Sequence, residues 1–246
     1  MIAIGNFFFK YRNFLFIFLY LALFIPSPQI FRESTIGEHY YLYPLIIGLF
    51  ITIFGQLIRG VAISLAYIVR GGRDKTVYAD DLVTEGFFNH GRNPLYVGNI
   101  LMLVGVGILM NSVVFMCIFI PLFLFIYQAI VLAEENFLRN KFGAQFDAYC
   151  ARVNRWWINF SGIHKTIGSM AFNGKRWLIK EYNTQTVWML GIVVILLYFY
   201  NDSMGNPILV GGDAVLRDKI GITALVILAA YYFTIRYLKK SGKWKG

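Results

Sequence analysis

The chain alternates long apolar runs with two large polar segments. A helix needs roughly 20 apolar residues to cross a bilayer. Runs of that kind fall at residues 13–31, 41–69, 94–110, 113–133, 186–200 and 220–237. The first closes near Pro26 and Pro28. The second is longer than one crossing needs, so it is expected to tilt or project, and Gly71, Gly72, Arg73 and Asp74 break it. The third opens at Pro94, whose missing N–H would be unpaired in a first helical turn anyway. Asn111-Ser112 reads as a tight turn into the fourth run, where Pro121 predicts a kink. Runs three and four then form an antiparallel hairpin, flanked by the polar segments 70–95 and 134–184. Within the latter, Phe137, Leu138, Phe142, Phe146 and Tyr149 share one side of a helix over 134–153. That spacing predicts an amphipathic helix at the headgroup level, continued by Trp156 and Trp157.

The pattern predicts an all-α polytopic membrane protein with about six transmembrane helices. Residues 1–175 read as a core and residues 176–246 as a two-helix appendage. Composition agrees: 58% of residues are hydrophobic, against roughly 45–50% for soluble domains. The net charge of +10 could suggest nucleic acid. The basic residues lie beside apolar runs, however, which favours a bilayer and no nucleic-acid partner. With six spans, 19 of the 23 Lys and Arg residues fall on one side, three on the other, and Arg59 inside the second helix. This asymmetry predicts cytosolic N and C termini, in a bacterial inner membrane or the endoplasmic reticulum, with both polar segments facing the cytosol. The first run is read as a retained helix, because Pro26-Ser27-Pro28-Gln29 lacks a small-x-small cleavage pattern. Cys117 and Cys150 read as thiols, without a disulfide framework.

Among candidate residues, Arg59 is set about ten residues, or roughly 15 Å, from the end of its helix. One reading is a side chain that snorkels to the headgroups; the distance exceeds what an arginine side chain spans, which favours the other, a functional role for an intramembrane cation. Arg92 and the pair Glu134-Glu135 stand at opposite ends of the hairpin, which would bring them to one level. Residue types leave two readings open. One is a surface ion pair of little energy. The other is a site where arginine takes a carboxylate and glutamate takes an ammonium or ribose hydroxyls. Gly105-x-Gly107 lies in mid-helix and reads as close helix packing. His90 is read as a solvated loop residue. No metal-ligand spacing, phosphate loop or nucleophile elbow is visible.

Several linked motifs carry a resemblance. They are Leu82-Val83-Thr84-Glu85-Gly86-Phe87-Phe88; Arg92-Asn93-Pro94-Leu95-Tyr96-Val97-Gly98; Glu134-Glu135-x-x-Leu138; Phe142-Gly143-x-x-Phe146-x-x-Tyr149; and Arg152-Val153-x-Arg155. Over residues 55–158 the chain resembles the isoprenylcysteine carboxyl methyltransferase and phospholipid methyltransferase family of membrane enzymes. The resemblance implies S-adenosylmethionine as cofactor and methyl transfer to a membrane-resident lipid or small amphiphile. It implies a cofactor site on the cytosolic face, made by loops and the amphipathic helix. Leu82, Val83 and Phe88 would line the pocket, and Arg92, Asn93, Pro94, Leu95 and Tyr96 would continue it. Glu134 and Glu135 would hold the cofactor's polar end. Arg59, Arg92 and Glu135 are the expected catalytic residues; no metal is implied. The sequence departs from the family at Asn93, where histidine is usual, at Phe88 and Phe146, where tyrosines are usual, and at Asn154, where proline is common. Ile130, Val131 and Leu132 replace a region that carries a basic residue in the prenylcysteine enzymes, which speaks against a prenylcysteine carboxyl substrate. Two other readings stay open: an NADPH-dependent membrane sterol or steroid-type reductase on a similar helical core, and a non-catalytic protein on the same scaffold.

Overall fold

A computed structural model describes residues 1–65, 77, 79–203 and 213–244. In chain order its α-helices are α1 (Ile2–Leu21), α2 (Glu33–Ile36), α3 (Leu42–Leu65), α4 (Pro94–Leu109), α5 (Ile120–Phe142), α6 (Ala144–Arg152), α7 (Ile163–Ser169), α8 (Gly174–Val194) and α9 (Ala214–Lys240). The chain forms two compact units. One comprises Met1–Ile30 and Ile47–Phe172, the other Phe31–Ile46 and Asn173–Gly246. All the expected site residues lie in the first.

Glycine sets the spacing of α3 and α4. A methyl group on Gly105 would meet the Thr52 amide and lie 2.7 Å from the Gly48 carbonyl oxygen. On Gly55 it would lie 2.6 Å from the Gly98 carbonyl oxygen. These contacts pair the helices antiparallel at backbone distance, as expected of Gly105. Thr52 Oγ1 adds a hydrogen bond to the Met102 carbonyl at 3.2 Å. Asn111 makes the turn out of α4, at φ 53°, a left-handed conformation that asparagine tolerates better than most residues. A π-helical turn at Phe115–Phe119 follows. Pro121, at the start of α5, has no N–H for the preceding turn, and a widened turn accommodates that loss. α1 runs antiparallel to α5. Gly5 sits against the Ala129 backbone, and Phe16 meets the rings of Phe123 and Tyr127 at 5.6 and 5.4 Å. In the second unit α8 packs on α9, with a Tyr231 to Gln185 hydrogen bond between them.

Several expected boundaries move. α1 starts at Ile2, so Lys10 and Arg12 lie inside a helix rather than ahead of one. Their cations rest near the rings of Tyr11 and Phe9, at 5.3 and 4.4 Å, where ring faces attract positive charge. The expected amphipathic helix over 134–153 is two helices. α5 continues to Phe142, Gly143 turns at φ 52°, and α6 begins at Ala144. Trp156 lies in the loop beyond α6, its indole donating to Gln128 Oε1 at 2.8 Å. α8 begins earlier than expected because Asn173 accepts from the Arg176 amide and caps it. Among the described residues, four helices are long and apolar enough to cross a membrane: Ile2–Phe24, Leu42–Leu65, Phe115–Phe142 and Ala214–Lys240. α4 is apolar but has 16 residues, about 24 Å at 1.5 Å per residue. α8 is not among the four, so a count of six crossings does not follow. The expected break at Gly71–Asp74, and Arg70 and Lys75 in the charge count, lie outside the described residues.

Gly105→Val should destabilise the first unit, because its methyls meet backbone rather than yielding side chains. The expected loss is at least about 2 kcal/mol, read as a lower midpoint of thermal unfolding in detergent. Gly168→Ala, where a methyl meets nothing within 4 Å, should leave the midpoint unchanged.

Candidate functional site

The loop before α4 is built around Gly86, at φ 58°. This residue opens a 3-10 turn, Gly86–Asn89. Phe87 is driven into the core beside Ile58 and Ala62 of α3. His90 is buried rather than solvated. Its Nδ1 lies 2.7 Å from the Asn159 carbonyl oxygen and its Nε2 lies 2.8 Å from Thr166 Oγ1. A carbonyl only accepts, so Nδ1 carries the proton. The loop after α6 runs alongside: the Arg92 amide donates to the Asn154 carbonyl at 2.9 Å, and the Asn159 amide to the His90 carbonyl at 2.8 Å. Asn93, at the family's histidine position, uses its amide to donate to the Arg155 carbonyl at 3.1 Å. It therefore fastens the two loops together.

α6 holds the outer wall. Phe146, Tyr149 and Val153 form a buried cluster that Leu82, Leu138 and Phe142 join. Phe146 is fully buried there, and an apolar ring needs no partner where a phenol would. Tyr149 donates its hydroxyl to the Phe88 carbonyl at 2.7 Å. Burial raises its pKa above the ordinary phenol range, which keeps it a donor. Phe88 itself and Val83 are half-buried. Arg152 donates to Asn89 Oδ1 at 2.8 Å.

Glu135 is the centre. Its side chain is 6% exposed and lies between two guanidinium groups. Arg155 grips it twice, Nε to Oε1 at 2.9 Å and Nη2 to Oε2 at 2.8 Å. This is the fork geometry that suits a carboxylate, and the hydrogen bond raises the Arg155 pKa above its ordinary range. Arg92 Nη2 stands 3.4 Å from Oε1. Arg92 Nε is buried and has no hydrogen-bond partner among the described residues.

Glu134 turns elsewhere. It accepts from the Tyr96 hydroxyl at 2.8 Å. Tyr96 packs on Tyr127 at 5.3 Å. Asn99 accepts from Arg59 Nη1 at 2.5 Å, and Arg59 also donates to the Leu95 carbonyl at 3.1 Å. Arg59 is 2% exposed, with Gly98 leaving room for its stem. A polar ladder therefore runs between α4 and α5, from Arg59 up to the acidic pair.

The fold thus joins Arg92 to Glu135, Tyr96 to Glu134, and Asn93 to the loop that supplies Arg155. It joins Arg59 to the first turns of α4, through Leu95 and Asn99, rather than to Glu135. The sequence reading quotes Arg155 in a motif without giving it a site role, and it passes over Asn99 and Tyr127. Asn99 follows Tyr96 at i+3 and Tyr127 precedes Glu134 by two helical turns, so helical spacing carried a signal for both. Arg155 pairs across the break at Gly143, which leaves no local signal. No group of three or more His, Cys, Asp or Glu that could hold a metal exists among the described residues.

Two curated relatives match part of the chain. The nickel-cobalt-cadmium resistance protein NccN of Alcaligenes xylosoxydans xylosoxydans is 27% identical over 116 residues, 47% of this chain and 53% of the relative. The cobalt-zinc-cadmium resistance protein CzcN of Cupriavidus metallidurans is 25% identical over 131 residues, covering 48% and 53%. The chain therefore spans about half the length of these relatives. No solved structure matches it. Residues 45–145 match the phospholipid methyltransferase family. That span holds most of α3, the α4–α5 hairpin, the Arg92 turn and both glutamates. That segment carries the chain's likeness to the phospholipid methyltransferase family.

Proposed function

We propose that this protein transfers a methyl group from S-adenosylmethionine to a lipid or small amphiphile held in the membrane. The observation that carries the reading is the knot at Glu135. Two arginines meet one buried carboxylate, leaving excess positive charge and a buried Arg92 Nε that has no partner among the described residues. A buried donor without a partner costs roughly 1–3 kcal/mol, and the donor's amino-acid carboxylate is the kind of group that would satisfy it. Glu134 and Glu135 suit the ammonium and ribose hydroxyls. Leu82, Val83, Phe88 and the turn from Asn93 to Tyr96 would line the rest. When bound, the cofactor supplies an electrophilic methyl on a sulfonium. The chain's part is to position the acceptor and balance charge, because an in-line displacement depends mostly on those effects.

Arg59 lies deeper, at the far end of the ladder from Glu134, where the head of a lipid entering between helices would come to rest. Its guanidinium would orient an oxygen-bearing head group. The relatives' names speak of metal resistance, and for this chain we place any such role downstream of membrane-lipid modification.

One observation favours a second reading. Glu135 is more than neutralised by Arg92 and Arg155, so the acidic pair does not repel a phosphate-rich dinucleotide as its sequence suggests. An NADPH-dependent reductase therefore stays in competition, and binding decides. Titrating purified protein by calorimetry should show saturable binding of S-adenosylmethionine and S-adenosylhomocysteine and none of NADPH; the reverse would overturn the methyltransferase reading.

Glu135→Gln keeps the shape and removes the charge, and should weaken S-adenosylhomocysteine binding at least about tenfold. Unchanged affinity would remove the knot from the site. Arg59→Met should lower the turnover of methyl-labelled S-adenosylmethionine into membrane lipid while leaving cofactor affinity within about twofold. Normal turnover would return Arg59 to a packing role.

A further inference from the structure

Gln56 stands in the interior of α3, between Thr52 at i−4 and Arg59 at i+3. That spacing puts the three side chains on one stripe of the helix. All three are buried, and Gln56 is 5% exposed. Its neighbours on the stripe are met. Thr52 donates to the Met102 carbonyl, and Arg59 donates to the Leu95 carbonyl and to Asn99. Gln56 differs: neither its Nε2 nor its Oε1 has a hydrogen-bond partner among the described residues. A primary amide brings two donors and a two-lone-pair acceptor, and burial strips both of water without replacing it. On the side of α3 that meets α4, Gly55 lies against the Gly98 carbonyl and closes the gap. On the other side Ile53 and Leu57 are 44% and 49% exposed, and in a helix able to cross a membrane such side chains face lipid. Gln56 therefore sits where the buried stripe gives way to the lipid-facing surface. A group carried by a lipid reaches it by displacing apolar side chains rather than backbone.

An amide unmet both as donor and as acceptor calls for a partner that serves as both. An alcohol hydroxyl is the smallest such group: its O–H donates to Oε1 and its oxygen accepts from Nε2. An ester or ether oxygen only accepts, and would leave Oε1 buried and unmet. We propose, resting on the methyltransferase reading above, that Gln56 is a specificity-determining residue that receives a hydroxyl of the methyl acceptor. Gln56 is set about 4.5 Å along the helix from Arg59, on the side away from the cytosolic-end polar knot. The hydroxyl it takes therefore lies on the tail side of the oxygen that Arg59 orients. The acceptor class narrows to amphiphiles that carry a hydroxyl at the junction of head and tail. A diacyl glycerol lipid, which offers only ester oxygens at that junction, fits the stripe less well.

The test uses the full chain in detergent and its Gln56→Met variant, which keeps the side chain's length and removes both polar atoms. The probes are glycerol monolaurate and trimethylene glycol monolaurate, which lacks only the inner hydroxyl. Both are titrated below their micellar concentrations and without cofactor. The wild type should bind the glycerol ester at least about tenfold more tightly, because the other ester leaves a buried polar group unmet. Gln56→Met should bind the two within about twofold of each other. Without any amphiphile, Gln56→Met should also unfold at a higher temperature than the wild type, because an apolar side chain of similar shape removes an unmet buried amide. A purely structural glutamine would give the opposite shift. S-Adenosylhomocysteine should bind wild type and variant within about twofold, since Gln56 lies outside the cofactor residues. Equal affinity of the wild type for the two esters, or binding of neither, would overturn the proposal while leaving the cofactor reading intact. So would a variant that keeps the preference, unfolds at a lower temperature or loses S-adenosylhomocysteine. Failure of the wild type itself to bind S-adenosylhomocysteine would overturn the methyltransferase reading beneath it.

Discussion

The arrangement depends on one buried carboxylate held between two guanidinium groups. Glu135 comes from the membrane helix α5, Arg92 from the turn before α4, and Arg155 from the loop after α6. Three separate stretches of chain therefore meet on a single charge. Removing one partner of a buried pair costs about 3–5 kcal/mol, because the remaining charge stays desolvated. The two loops are tied again through Asn93, His90 and Asn159, so the knot and the loops brace each other. The glycine-lined contact of α3 with α4 and the packing of α1 on α5 hold the helices from which the knot projects.

Below the knot, polarity continues into the membrane helices: Glu134 to Tyr96, Tyr96 against Tyr127, and Asn99 to Arg59. Each step is one or two helical turns on α4 and α5, which an antiparallel hairpin enforces. Arg59 is affordable in an apolar setting because its donors are met by Leu95 and Asn99. The ladder gives a lipid-facing protein a graded polar interior, with positive charge at both ends and Glu134 between them. That gradient suits an amphiphile whose reactive end must approach a polar cofactor while its tail stays among helices.

Much of this was legible in the sequence, for local reasons. Asn111-Ser112 and Pro94 mark the hairpin by backbone chemistry that few other residues share, and Gly105 marks the close helix contact. The pairing of Arg92 with the acidic pair followed from hairpin length alone. The break at Gly143 was not legible as a break, because the apolar residues on either side keep one helical period across it. The second grip on Glu135 comes from Arg155, 20 residues on, and only the turn at Gly143 brings it back. His90 read as solvated because its partners, Asn159 and Thr166, are distant in sequence. Lys10 and Arg12 read as flanking charges, since a helix that carries cations among aromatic rings looks the same as one that starts after them. The two glutamates read as one unit because they are adjacent, although neighbouring residues on a helix point roughly 100° apart.

The central claim is that the Arg92–Glu135–Arg155 knot receives the amino-acid end of S-adenosylmethionine. An experimental structure with S-adenosylhomocysteine bound tests it most directly. The account predicts the ligand's carboxylate within hydrogen-bond distance of Arg92 Nε, with Glu135 still held by Arg155. A ligand bound elsewhere, with Arg92 Nε still unpartnered, would contradict it.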